Sequence, residues 1–182
     1  MSYHTILIGT SKTVEGDEYF CKGRNVKLFW GTLNDVIKSD FSGKEAQTEK
    51  LSEKGVLITD ISSEKGGVEK QDKQIKVSSI QDGFIELERK LLAQKELKRV
   101  AFIGKLAAKW FFIRFIDKID LKNDESTYNS EFFHYGKQKW TLKVNNSDVT
   151  CYTLQNTGRQ WDSSASEWKE FWKDVFEIKN NG

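Results

Sequence analysis

Short apolar runs, each followed by a turn residue and then by a stretch of helical period, recur along this chain. That recurrence restricts the fold more than any other feature. His4–Ile8 ends at Gly9, Val56–Ile61 carries Asp60 near its end, and Val100–Ile103 ends at Gly104. These runs read as short buried strands. Between them, Leu28–Ile37 places Leu28, Phe29, Leu33, Val36 and Ile37 at helical spacing. Ile80–Ala93 does the same with Ile80, Phe84, Ile85, Leu87, Leu91 and Leu92, behind Ser78 and Ser79 as candidate caps. Lys105–Phe115 follows the third strand with Leu106, Ala107, Ala108, Trp110, Phe111 and Phe112. Strands alternating with helices predict an α/β fold, a central, mainly parallel sheet with helices on both faces.

The remaining segments fit around that frame. Thr10–Asp17 is expected to be a polar loop after the first strand, and open α/β folds place ligands at such loops. Phe20–Asn25 is irregular, Asp40–Lys54 a loop with a short helix, and Ser62–Lys76 an exposed loop of mixed charge. Asp117–Lys137 reads as an insertion. Trp140–Val144 and Val149–Leu154 flank a turn at Asn145–Asp148, as a hairpin or as two sheet strands. Gln155–Ser164 is expected to be a polar loop and Ser166–Phe176 the last helix, with Glu167 in its first turn.

Composition narrows the functional classes. The chain has 182 residues, enough for one domain spanning 1–182 and short for two. Hydrophobic residues make up 37% and charged residues 31%, which fits a folded, soluble protein. The net charge of +2 gives no strong sign of nucleic-acid binding, although a mean charge hides a local basic face. Two cysteines, Cys21 and Cys151, form no CxxC pair, so neither a structural metal nor a cofactor is expected. No run is long enough for a signal core or a membrane span, and the cytoplasm is the expected location. There is no proline, so glycine, Asn and side-chain hydrogen bonds must set the loops.

Several local patterns, in order, resemble one family. Leu7-Ile8-Gly9-Thr10-Ser11-Lys12-Thr13 stands where that family has a strand ending in Gly-Ile-Asn-Pro-Gly. Tyr19, Phe20, Asn25, Phe29 and Trp30 follow in the order of its aromatic loop and of the Phe-Trp pair that opens a helix. Ile103-Gly104-Lys105-Leu106-Ala107 matches a Leu-Gly-Lys-x-Ala segment, and Leu154-Gln155-Asn156-Thr157-Gly158-Arg159 falls on its second active loop. From about Ile6 to about Val175 the chain is similar to the mismatch-specific uracil and thymine DNA glycosylases. The sequence departs from the family at Ser11, which replaces the catalytic Asn, and at Lys12, which replaces the adjoining proline.

The resemblance implies a uracil-DNA glycosylase-like three-layer fold and excision of a flipped base from double-stranded DNA carrying a lesion, mismatch or modified base. It places Ser11, Lys12 and Asp17 at the catalytic position and Gly9, Thr10, Phe20 and Asn25 around the base. Lys105, Asn156, Thr157, Gly158, Arg159 and Gln160 fall against the DNA. Ser11 can bind water but lacks the paired donor and acceptor of an amide. Asp17, or its neighbour Glu18, is an alternative holder of that water. Lys12 stands near the departing base or touches the DNA backbone. Phe20 is either the stacking wall or a core residue, and Asn25 either contacts the base or fixes its loop. Phe29 and Trp30 are expected to pack a helix into the core, with Trp161 capping the last helix or stacking on a base. No metal or cofactor is implied, and the family precedent is a monomer. The replacement at Ser11 leaves open a second possibility, an inactive module that binds lesion DNA, a base or a nucleotide. A protein-interaction role for the many aromatics is the third.

Overall fold

The computed structural model describes residues 2–13, 26–38, 47–66, 77–104, 107–108, 111, 119–120, 139–154 and 161–178. Six strands form one sheet: β1 Thr5–Thr13, β2 Val56–Gly66, β3 Arg99–Ile103, β4 Ile119–Asp120, β5 Lys139–Val144 and β6 Ser147–Leu154. Their order is β2-β1-β3-β6-β5-β4. β2, β1, β3 and β6 run parallel, while β5 and then β4 are added antiparallel. The expected α/β architecture is therefore present, as a mixed and mostly parallel sheet between helical layers.

Side-chain alternation along the central strands explains the layers. Ile6, Ile8, Val100, Phe102, Val149 and Cys151 face one side, together with Trp140, Leu142 and Val144 of β5. The helix α3, Val77–Leu92, covers that side with Phe84, Leu87 and Leu91, joined by the helical residues Ala107, Ala108 and Phe111. Leu7, Ala101, Ile103, Tyr152 and Leu154 face the other side. There a π-helical turn, Val26–Gly31, leads into α1, Thr32–Ile37, and packs with the last helix, α4, Trp161–Val175. A short helix α2, Gln47–Glu53, precedes β2 and adds Leu51 to this core.

The second layer is joined by aromatic rings. Phe29 lies 5.1 Å from Trp168 and 5.3 Å from Trp172, both edge-on, and all three are fully buried. Such edge-to-face pairs add roughly 0.5–1.5 kcal/mol each beyond burial. Lys169 of α4 also reaches Asp35 of α1 at 3.1 Å. The expectation that Phe29 and Trp30 are core residues holds. Trp30 is 2% exposed.

The structure corrects four sequence expectations. β1 does not stop at Ile8: Gly9 pairs with Asp60, Ser11 with Ser62 and Thr13 with Gly66. The expected loop at Thr10–Asp17 is thus a strand through Thr13, and the expected loop at Ser62–Lys76 is a strand through Gly66. Both segments are polar, but each gives the other's backbone groups a hydrogen-bonding partner. A register shift between Ser11 and Thr13 marks an irregularity of the kind that twists a ribbon. α4 starts at Trp161, so residues 161–164 are helical, Ser166 is no cap and Glu167 lies beyond the first turn. α3 starts at Val77, so Ser78 and Ser79 sit inside it.

β5 and β6 are the hairpin that was one of two possibilities. Asn145 and Asn146 have φ of 51° and 63°, and Val144 pairs with Ser147. Two left-handed residues form a type I′ turn, whose twist matches that of the flanking strands. The Asn145 amide also donates to the carbonyl of Leu92 at 2.9 Å, tying the turn to the end of α3. Asn146→Val should destabilise the protein by about 1–2 kcal/mol, because a β-branched residue resists φ > 0. Asn146→Gly should leave stability equal or higher in urea unfolding. Equal midpoints for the two variants would remove the turn from the account.

Candidate functional site

Because β2, β1, β3 and β6 are parallel, their carboxyl ends share one edge of the sheet. The chain moves from β1 outward to β2, then crosses to β3 on the other side of β1. This reversal between β1 and β3 opens the crevice where α/β proteins hold ligands. Side-chain bonds at the opposite edge fix which ends of the helices lie here. Arg99, at the amino end of β3, bonds Asp174 in the last turn of α4, and Asn145 bonds the end of α3. Both helices therefore start at the crevice edge. Their amino ends favour negative charge there.

The strands β1 and β6, in which the two resembling segments begin, flank β3 at this edge. Ile8 pairs with Phe102 of β3, and Leu154 of β6 pairs with Ile103, one residue further along. β1 and β6 are thus two strand spacings apart, about 10 Å, with β3 between them. Gly104 closes the gap. Its φ is 91°, its N–H donates to the Leu154 carbonyl at 2.9 Å, and its carbonyl accepts from Ala108 N–H at 3.4 Å. Among the described residues beyond Gly104, Ala107, Ala108 and Phe111 are helical, in keeping with the strand–glycine–helix pattern.

One polar group among the described residues near this edge is one that the sequence left without a role. Asp60 lies opposite Gly9 in the parallel register. Its carboxylate takes up the space beside Gly9 that a side chain there would need, so that a Cβ at position 9 would collide with Asp60 Oδ1. Val56 and Ile58 of β2 and Leu7 of β1 belong to the core under α1 and α4. Asp60 and Gly9 continue those two rows toward the crevice, where apolar side chains give way to a carboxylate. The signal available in the sequence was an acidic residue near the end of a buried strand. The glycine partner two segments away could be matched to it only through the register.

Of the expected catalytic residues, Ser11 and Lys12 have their backbone in β1, as does Thr10 of the expected base pocket. Gly9 is paired in the ladder beside Asp60. Asp17, Phe20, Asn25, Lys105, Asn156, Thr157, Gly158, Arg159 and Gln160 lie outside the described residues. Trp161 is the first residue of α4. Trp168 and Trp172 are core residues.

Other polar groups serve the scaffold. At the opposite edge the Tyr152 hydroxyl donates to Asp174, which Arg99 also reaches at 3.0 Å. Burial, ahead of this carboxylate, pushes the Tyr152 hydroxyl above its usual range. Lys90 reaches from α3 to the buried Thr59 hydroxyl at 3.0 Å. Cys151 is fully buried, and burial pushes its thiol up, so it is a packing residue and not a nucleophile. Among the described residues, no cluster of His, Cys, Asp and Glu is built to hold a metal ion, and no helix is long and apolar enough to cross a membrane.

Comparison with protein-family models and with curated proteins finds no match to this chain.

The Gly9–Asp60 contact makes a quantitative prediction. Gly9→Ala should destabilise the protein by about 1–3 kcal/mol, the usual range for overpacking. In an Asp60→Ala background the same change should be close to neutral. Denaturant unfolding of the four proteins gives the coupling, and additive effects would mean that the two residues do not touch.

Proposed function

We propose that this chain has a uracil-DNA glycosylase-like fold and removes an altered base from double-stranded DNA. The observation that carries this reading is the common origin of the two resembling segments. At the level of Ile8 and Leu154, where pairing of β1 with β3 stops and β6 ends, the two strands lie about 10 Å apart on either side of β3. A spacing of that order suits a pocket for a single nucleobase. The helix amino ends at the same edge suit the phosphates beside it.

In the proposed reaction the target base swings out of the stack, which costs a few kcal/mol of unstacking. Phe20 then supplies the stacking wall, and Gly9, Thr10 and Asn25 line the base. Water attacks the anomeric carbon as the bond from that carbon to the base nitrogen breaks. The base leaves as an anion and is protonated, while the water's proton passes to an acceptor. Ser11 orients the water, and Lys12 stabilises negative charge on the departing base. Asp17 is a candidate acceptor. Lys105 and the segment Asn156, Thr157, Gly158, Arg159 and Gln160 hold the duplex, with Arg159 as the principal phosphate clamp. The protein would work as a monomer in the cytoplasm, without metal or cofactor.

One observation favours a second reading, a module that binds lesion DNA without cutting the glycosidic bond. Ser11 stands where the resembling family has its catalytic Asn, and its backbone is held in a parallel ladder with Ser62. A hydroxyl without a neighbouring base is a weak catalyst at neutral pH.

Duplexes carrying single lesions decide between the two readings. The enzyme releases free base and leaves alkali-labile sites; the binding module retains lesion affinity and releases nothing. Phe20→Ala should weaken capture of an extrahelical base at least tenfold while changing affinity for undamaged duplex little. Arg159→Ala should lower duplex affinity and reduce the slope of log affinity against log salt by about 1. Protein that is folded yet neither binds nor cleaves any lesion duplex would overturn both readings.

A further inference from the structure

We draw no further inference here: the strongest candidate, the surface patch formed by Ile85 and Leu92 on α3, 64% and 50% exposed, is an apolar helix face for which nothing in the structure shows what covers it.

Discussion

The pairing of β1 with a parallel neighbour on each side is the constraint from which the rest of this structure follows. Thr5–Ile8 is paired with β2 on one side and β3 on the other, and Thr5, Ile6, Leu7 and Ile8 are completely buried. A strand so placed must be apolar on both faces, because a helical layer lies on each. It also sets where ligands can go. The chain passes from β1 to β2 and returns to the other side of β1 as β3, so the crevice opens where pairing of β1 with β3 stops. Gly9, at the point where pairing with β3 has ended and pairing with β2 continues, marks that opening.

The two layers differ in how they hold the sheet. The face under α3 is filled by aliphatic residues and a ring stack, with Phe102 and Trp140 parallel at 5.5 Å. The face under α1 and α4 is dominated by Phe29, Trp168, Phe171 and Trp172. These large rings bridge a π-helical turn, a six-residue helix and a fifteen-residue helix. Neither short element would be stable alone, since isolated helices below roughly 12–15 residues are marginal. Tertiary burial of Phe29 and Leu33 supplies what their length does not. The Arg99–Asp174–Tyr152 group then ties the far end of α4 to the sheet edge opposite the crevice.

Buried elements were legible in the sequence and polar ones were not. Val100–Ile103 and Ile6–Ile8 announce themselves because burial on both faces demands continuous apolar residues. Thr10–Thr13 and Ser62–Gly66 do not, because they pair with one another beyond the end of β3 and neither needs an apolar face. Glycine and serine there carry the composition of a loop, yet the ladder satisfies their backbone. The start of α4 was hidden for a related reason: Asp162, Ser163 and Ser164 resemble turn residues, and no capping box marks Trp161. At the candidate site, Gly104 was visible as a strand terminator. The Gly9–Asp60 contact was not, because composition says nothing about which glycine faces which acid. Only the register of two strands separated by some fifty residues brings them together.

The extended course of β1 bears on how chemistry at this edge must be arranged. A catalytic loop adapts its backbone to the substrate, whereas a paired strand has its backbone groups committed to a neighbour. Ser11 therefore has a fixed backbone position relative to Ser62, and the strand next to it delivers Asp60 to the same edge. Rigid placement favours recognition, which gains from groups that need no reorganisation. Hydrolysis additionally requires a proton acceptor and stabilisation of a leaving anion, which a serine hydroxyl does not provide by itself. In the proposed function, the paired strands would serve to select the base, and the groups that cut it free would have to come from elsewhere in the chain.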